Sequence, residues 1–312
     1  MNSSALLRLV SKFDEFEKHW EEKPLVSRGL GDFGDVFSLD GLEKLLEDGT
    51  LRKSSVRLFR GGEEIKTDLL FRRRGGLDAR AEPTLDPAKV AQAVESGATL
   101  VLEELGNYCP QVAEFATEIS GGLGCHTYCV AFLTPAHGRG APAHYDAATT
   151  FLRQVYGSKR WRIGRPVQRW PRRPWNHTEV PLDDVTEIVL GDGDCLYLPR
   201  GYVHVGDATD EASLHLTIGL RPVTWEEVFH SLLSRAADED ERLRETLPLG
   251  FHDPDEDALE HVFADKIRAV GEFLDGLGPH QADERIRQVF RPKAVERLEA
   301  KGLLRSVLAE PG

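Results

Sequence analysis

A metal site is the first chemistry that the residue types of this chain suggest. His144 and Asp146 are separated by a single residue, and His204 comes later, just after a break in an apolar segment. In an extended strand, residues two apart point to the same side, so the first two would present an imidazole and a carboxylate in one direction. The imidazole of His204 then completes a set of two histidines and one carboxylate. Such a set caps one face of an octahedral Fe(II) and leaves the opposite positions open for oxygen chemistry.

Turn residues surround both parts of this set. Gly140 and Pro142 mark a turn just before the first histidine, and the G-D-G-D run at 191–194 predicts a tight turn before an apolar strand at 195–198. A P-R-G break then ends that strand shortly before His204. The alternative interpretation is a pair of buried histidines that hydrogen bonds satisfy without any metal. The turn signals favour the metal site.

The segment from 141 to 220 resembles the JmjC-type cupins, and within them the ribosomal-oxygenase-like group. Four motifs of that family are present in its order, H-Y-D, K-R-W, L-P-x-G-x-x-H and S-x-H-x-T-x-G, at 144–146, 159–161, 198–204 and 213–219. The resemblance extends upstream to 16–26 and 97–102 and covers residues 13–222. It implies a hydroxylase of protein side chains that depends on Fe(II) and 2-oxoglutarate.

The resemblance also implies where the cosubstrate binds. The distal carboxylate of 2-oxoglutarate needs a buried cation, and Lys159 stands where the family has its 2-oxoglutarate lysine. Strand alternation turns Arg160 to the other face. The alternative is that Lys159 is only a turn residue. We expect His215 and Thr217 to assist the cosubstrate or to tune the metal from outside its coordination shell.

Two positions depart from the family's pattern on the strand before H-Y-D. The family often has asparagine and tyrosine there, both of which contact the cosubstrate, and this chain has Val130 and Phe132. The predicted metal ligands are intact, whereas the cosubstrate pocket is altered. We therefore expect 2-oxoglutarate to bind more weakly or in another way.

Composition and charge limit the possible partners. A formal net charge of −13 argues against nucleic acid, because binding phosphates needs a basic surface, and it permits a basic peptide or protein. No apolar run approaches the ~20 residues of a membrane helix, and the first twenty residues lack the apolar core of a signal peptide. The four cysteines form no C-x-x-C pair. We interpret them as reduced thiols of a cytoplasmic protein.

The remaining elements predict a mainly β protein with flanking helices. Apolar spacing predicts an amphipathic helix over 4–20, and helices start near Ser38, Asp86 and Pro110. Short strands are expected at 56–59, 99–102 and 127–133, and the Arg- and Gly-rich stretch 60–84 is predicted to be a loop. From 141 to 220, short strands separated by turns predict a double-stranded β-helix, the jelly-roll of cupins. Leu214, Leu216, Ile218 and Leu220 should share one face of its last strand.

After Pro222 the pattern changes to helices, at 225–233, 257–277 and 282–304. We therefore expect a catalytic JmjC domain over 1–222, with N-terminal helical elements, and a helical segment over 223–312. The resemblance implies that this segment serves dimerisation, with an incomplete or absent winged helix. Its apolar stripes predict a homodimer.

The function predicted from the sequence is that of a 2-oxoglutarate-dependent dioxygenase. With Fe(II), 2-oxoglutarate and O2, it would hydroxylate a side chain of a protein or peptide, and the resemblance points to a ribosomal protein. No membrane partner and no direct contact with nucleic acid are expected. Two alternatives stay open. One is the same chemistry on a free amino acid or a peptide natural product, and the other is a metal-binding cupin without catalysis.

Overall fold

The computed structural model describes residues 4–72, 83–175, 180–252 and 258–278, together with residues 284, 286, 287, 289 and 290. Eleven strands lie within these residues. They are β1 (Leu25–Ser27), β2 (Val56–Arg60), β3 (Glu63–Ile65), β4 (Phe71–Arg72), β5 (Thr84–Leu85), β6 (Thr99–Leu102), β7 (His126–Thr134), β8 (Thr149–Pro166), β9 (Thr186–Leu190), β10 (Cys195–Leu198) and β11 (Tyr202–Arg221). The strands that the sequence predicts at 56–59, 99–102, 127–133 and 195–198 are confirmed.

Nine of these strands form one antiparallel sheet. Eight of them follow the order β1-β10-β8-β11-β7-β6-β2-β3, and β9 pairs with β8, while β4 and β5 pair separately. Neighbours in this order are mostly far apart in the chain, as the crossing connections of a double-stranded β-helix require. The predicted fold class, a mainly β jelly-roll with added helices, is confirmed.

The two long strands β8 and β11 form the centre of this sheet. They pair with each other along most of their length, with register shifts at three places between Tyr202 and His215. Such bulges increase the local twist, so a long strand can bend and take part in both halves of a jelly-roll. The alternation predicted for β11 is confirmed. Its four apolar residues at 214, 216, 218 and 220 are fully buried in the main core.

The described residues also contain six α-helices. They are α1 (Phe13–His19), α2 (Leu39–Glu47), α3 (Pro87–Glu95), α4 (Pro110–Leu123), α5 (Trp225–Glu239) and α6 (Ala258–Gly276). The predicted start of α2 is confirmed, because the Ser38 hydroxyl caps the helix by accepting a hydrogen bond from the Gly41 amide over 3.1 Å. Asp86 caps α3 in the same way.

Two predictions about the N-terminal region are wrong in part. Residues 4–20 do not form one helix: a 3-10 turn at Leu6–Arg8 precedes α1, and Lys12, just before α1, is extended. There the Ser11 amide donates to the Ser27 hydroxyl over 3.1 Å, a tertiary contact that helix periodicity does not reveal. The stretch predicted to be a loop at 60–84 contains β3, because Gly61 and Gly62 adopt positive φ and close a tight hairpin. The arginines at 73 and 74 lie outside the described residues.

The described chain divides into two compact units. The first ends at Pro222 and holds every strand, and the second begins at Val223 and holds α5 and α6. In the second unit, Arg242 pairs with Asp240 over 2.7 Å and with Glu272 over 2.6 Å, which joins the connection after α5 to α6. In the part of the chain that the structure describes, no helix is long and apolar enough to cross a membrane.

Candidate metal centre

The backbone brings the two predicted histidine ligands face to face. His144 and His204 form an isolated antiparallel bridge in which the His204 amide donates to the His144 carbonyl over 2.8 Å, and the reverse bond spans 3.2 Å. Their ring centroids lie 4.5 Å apart. A segment before β8 and the start of β11, which are distant in the sequence, are thus paired at the two imidazoles.

Both imidazoles are oriented by the same local contact. The Nδ1 atom of His144 lies 2.7 Å from the Pro142 carbonyl oxygen, and that of His204 lies 3.1 Å from the Tyr202 carbonyl oxygen. Because a carbonyl oxygen only accepts, each Nδ1 is assigned the proton. The lone pair of each neutral ring is then on Nε2, which is the nitrogen available to a metal.

Asp146 lies between these two nitrogens. Its carboxylate oxygens are 4.0 Å from His144 Nε2 and 3.7 Å from His204 Nε2. We call these three residues the triad. Their ligand atoms lie within 4.8 Å of one another. Burial, and next the charge of His144, lower the pKa of His204 to about 4, so this ring is neutral at neutral pH, as a metal ligand must be.

The loop before His204 is bonded directly to the triad. The Gly201 amide donates to the Asp146 carbonyl oxygen over 3.0 Å. Gly201 has φ +90, and a Cβ there would lie 2.2 Å from the Gln168 carbonyl oxygen. Only glycine fits this close approach to Gln168. The P-R-G break seen in the sequence therefore contains the residue whose amide binds Asp146.

Lys159 points inward from β8, and no carboxylate pairs with it in the described part of the chain. It is 1% exposed. Among the described residues, Lys159 Nζ donates one hydrogen bond, to the Thr134 hydroxyl over 3.0 Å. Burial lowers its pKa to about 7, which the more distant charge of Asp207 partly opposes. Arg160, by contrast, makes a surface pair with Glu187, as strand alternation predicts. The interpretation of Lys159 as only a turn residue is therefore wrong, because it lies within β8.

Trp161 is a residue of this region to which the sequence analysis assigned no role. Its ring centroid lies 5.9 Å from that of His204 and 5.2 Å from that of His215, and Lys159 Nζ lies 5.2 Å from the indole ring. It therefore stands between the triad and the lysine. A Cβ on Gly206 would lie 2.8 Å from this indole and 2.7 Å from Lys159 Cε. Counting two residues along β8 from Lys159 would have found it, because both side chains share a face.

His215 and Phe132 pack as a pair beside this lysine. Their rings are stacked at 4.8 Å with 8° between the planes, and Lys159 Nζ lies 6.0 Å from the Phe132 ring. Burial lowers the pKa of His215 well below its ordinary value. At Phe132, the departure from the family pattern keeps an aromatic ring, which packs against His215, and removes the hydroxyl of the family's tyrosine. Thr217 lies half-buried across from Val130, and no hydrogen bond joins it to the triad or to Lys159 in the described structure.

Tyr128 is a second residue that the sequence analysis missed. Burial, and next the negative charge of Asp146, raise its pKa to about 12. The ring lies across Gly219, where a Cβ would come within 2.2 Å of it. Tyr128 precedes Val130 by two positions on β7, so it shares the strand face on which the sequence analysis found only apolar replacements.

The groups present fit a metal and an anionic cosubstrate. Two imidazoles and a carboxylate are an Fe(II)-type donor set. Beside them, Lys159 is a buried cation without a counter-ion, and the Trp161 Nε1 and His215 Nδ1 atoms are buried without a hydrogen-bond partner among the described residues. Buried polar groups are normally paired, so unpaired ones beside a donor set indicate a ligand site.

An arginine-rich segment lies next to the triad. In the segment 167–175, Arg169, Arg172 and Arg173 are exposed, and the Arg169 guanidinium lies 4.1 Å from the Trp170 ring centroid. Its Trp175 amide donates to the carbonyl oxygen of Tyr145, the residue between the first two triad members, over 3.1 Å. The acidic excess of the whole chain therefore does not extend to this segment.

Comparisons with known proteins agree with this fold. The model of the JmjC domain matches residues 107–228. A relative from Brugia malayi, named bifunctional lysine-specific demethylase and histidyl-hydroxylase NO66, is 32% identical over 54% of this chain and 25% of its own length. The uncharacterized protein YxbC of Bacillus subtilis is 25% identical over 97% of this chain and 96% of its own length. The chain thus spans about a quarter of the length of the NO66 relatives.

A solved structure shares the fold. The structure of YcfD, a ribosomal oxygenase from Escherichia coli in complex with cobalt and 2-oxoglutarate, superposes with a TM-score of 0.53 at 19% identity. The match covers 86% of this chain and 67% of that one. Residues 107–228 are thus similar to a JmjC domain, and the structural match shows that the chain shares the fold of that solved structure.

Proposed function

We propose that this chain is an Fe(II)- and 2-oxoglutarate-dependent oxygenase that hydroxylates a side chain of a protein or peptide. The triad would hold Fe(II) through His144 Nε2, His204 Nε2 and the Asp146 carboxylate. Lys159 would bind the distal carboxylate of 2-oxoglutarate. When bound, Fe(II) with 2-oxoglutarate supplies the oxidation of a substrate C–H bond by O2, with the oxo acid ending as succinate and carbon dioxide.

One observation carries the proposal: a buried lysine, with no carboxylate paired to it among the described residues, stands one aromatic residue away from an Fe(II)-type donor set. Lys159 stabilises an anion in a site from which water is largely excluded, so a charge-assisted bond there is strong. Trp161 and His215 offer further polar atoms to an oxygen of the same ligand. The protein's own part is to hold and orient the reactants and to keep the site dry.

The relatives supply the proposed substrate class. NO66 is named a histidyl-hydroxylase, and YcfD a ribosomal oxygenase. We therefore propose a ribosomal protein segment as substrate. Such segments are generally basic, which the net charge of −13 favours over long range. Arg169 and its neighbours beside the triad would contact an acidic or neutral part of that partner.

Intact-mass spectrometry of ribosomal proteins tests this function. Ribosomes are compared from a strain that lacks the protein and from the same strain carrying either the wild type or His204→Ala. One protein that gains a single oxygen atom with the wild type alone supports the proposal. Identical masses in all three strains contradict a ribosomal substrate.

A second assay separates the two alternatives. Purified protein with Fe(II) and 2-oxoglutarate is followed by NMR for succinate. Succinate formation with a free amino acid, together with unchanged ribosomal masses, would favour the small-molecule hydroxylase. Metal binding with no succinate under any condition would favour the cupin without catalysis, an alternative that Val130 and Phe132 support because neither offers a polar group to the cosubstrate.

The helical unit carries the proposed dimer contact. On α5, Trp225, Phe229 and Leu233 are four residues apart and 72%, 50% and 44% exposed, so they form an apolar stripe in contact with water. We propose that a second copy of the chain covers this stripe.

A cytoplasmic location is proposed as well, because all four cysteines are free thiols and three of them are buried.

A further inference from the structure

A buried ion pair joins the N-terminal segment to the loop that precedes His204. Glu21 follows α1, and its side chain is 12% exposed. One of its oxygens accepts from Arg200 Nε over 2.6 Å, and the other accepts from the Thr149 hydroxyl. The Arg200 amide in turn donates to that hydroxyl over 3.3 Å. Three chain segments that are distant in the sequence thus meet at one carboxylate.

The backbone of Glu21 is held in an unusual conformation by two further contacts. Its φ is 57, in the left-handed region that non-glycine residues rarely adopt. The Glu21 amide donates to the Tyr197 hydroxyl over 2.9 Å, and its carbonyl accepts from Trp170 Nε1 over 3.3 Å. Such a conformation persists only where the surroundings fix it, and it occurs often near functional sites.

The next residue, Glu22, makes a second contact with this region, at the start of β11. The Glu22 carbonyl accepts from the Tyr202 hydroxyl over 2.9 Å. Glu21 and Glu22 therefore hold Arg200 and Tyr202, the two residues on either side of Gly201. None of these contacts is made by the triad itself.

Gly201 and Tyr202 each touch a triad residue directly. The Gly201 amide donates to the Asp146 carbonyl, and the Tyr202 carbonyl accepts from His204 Nδ1. A shift of this loop would therefore move the backbone of Asp146 and release the ring of His204. Metal affinity depends on such outer contacts, because they fix the orientation of the ligands before the ion binds.

We propose that Glu21 is a positioning residue for the triad and acts through Arg200. The inference rests on the proposed function, in that the triad must bind a metal. A carboxylate is required at this position because Arg200, whose side chain is 15% exposed, would otherwise be a buried cation without a partner. The loop would then rearrange to expose it to water.

Co(II) titration of the purified full-length chain, followed by calorimetry, tests this role without any turnover. Glu21→Gln keeps the size of the side chain and removes its charge. We expect it to weaken Co(II) binding about tenfold, the scale typical of outer-shell changes. Asp194→Asn is the matched control. Asp194 has the same 12% side-chain exposure and also pairs with an arginine, Arg28, but it lies at the far end of β10 from Arg200. Its Co(II) affinity should stay within about twofold of the wild type.

A double variant separates positioning from general stability. If Glu21 acts through Arg200, Glu21→Gln combined with Arg200→Gln should bind Co(II) no more weakly than the weaker single variant. Additive losses would overturn the proposal, and so would wild-type affinity in Glu21→Gln. Circular dichroism checks folding, and if Glu21→Gln is unfolded, Arg200→Gln takes its place with the same expected loss. A wild-type chain that binds no Co(II) would instead contradict the proposed function.

Discussion

Lys159 donates its one hydrogen bond among the described residues to the Thr134 hydroxyl, over 3.0 Å, while its ammonium faces the Trp161 and Phe132 rings. A neutral hydroxyl does not neutralise the charge, and burial disfavours it. The contact therefore holds the ammonium in place but leaves its positive charge uncompensated. An anionic ligand would supply the missing counter-charge.

Removing this ammonium should weaken cosubstrate binding. Lys159→Ala is expected to cost about 2 kcal/mol, or about thirtyfold in 2-oxoglutarate affinity, because a hydrogen bond to a charged group is lost. Calorimetry with the Mn(II)-loaded protein measures it. Arg160→Ala is the control on the opposite face of β8, and its affinity should match the wild type. Equal affinities in Lys159→Ala and the wild type would exclude this role for Lys159.

The same lysine predicts a pH dependence of cosubstrate binding. Burial lowers the pKa of Lys159 to about 7. Above pH 7, the Lys159 amine of the ligand-free protein is therefore mostly neutral, whereas a bound carboxylate favours the protonated ammonium. Binding must then take up a proton, and affinity should fall by up to about tenfold per pH unit from pH 7 to 9. Below pH 7 this group adds no dependence. Lys159→Met should remove the slope, and a slope that persists in the variant would assign it to another group.

Protein stability should respond to pH in the opposite direction. The lysine has its ordinary pKa of 10.5 in the unfolded chain and a pKa of about 7 in the folded one, so between these values the unfolded chain binds more protons. Burying the charge of Lys159 destabilises the folded state fully below pH 7. This destabilisation decreases as the pH rises above 7 and the buried amine loses its proton. Urea unfolding of the ligand-free wild type and Lys159→Met should therefore differ less at pH 9 than at pH 7. A difference in the free energy of unfolding that does not change with pH would mean that the pKa of Lys159 is not lowered in the folded protein.

Loss of a triad member should abolish stoichiometric metal binding. His144→Ala and Asp146→Ala each remove one of only three ligands, and the two that remain hold the ion weakly. Iron content after anaerobic loading with Fe(II) is the measurement. His137→Ala, at an exposed histidine in the preceding turn, should keep the full content. Unchanged iron in both triad variants would move the metal site elsewhere.

The apolar stripe of α5 predicts a dimer that one charge can disrupt. We expect light scattering to give twice the chain mass for the wild type at micromolar concentration and the single mass for Phe229→Asp, because a buried carboxylate without a partner is costly. Ser234→Asp places the same charge elsewhere on the exposed surface of α5 and should stay dimeric. A monomeric wild type would contradict the proposed contact.

The order of motifs along the chain was sufficient to predict the jelly-roll and the residues of the triad. Alternation on β11 and the turn residues before β10 are local signals, because side-chain direction in a strand has a period of two and glycine and proline mark its ends. The same rule places Lys159 and Arg160 on opposite faces of β8. The metal-binding role of the triad and the 2-oxoglutarate role of Lys159 stay predictions.

Only the tertiary structure decided which distant residues meet. The pairing of His144 with His204, the ring of Phe132 on His215, and the carboxylate of Glu21 on Arg200 all join segments far apart in the sequence. Periodicity is a property of one segment and says nothing about its partner across the sheet. For that reason the sequence alone predicted a helix over 4–20, whereas in the structure Ser11 bonds to Ser27 between the 3-10 turn and α1.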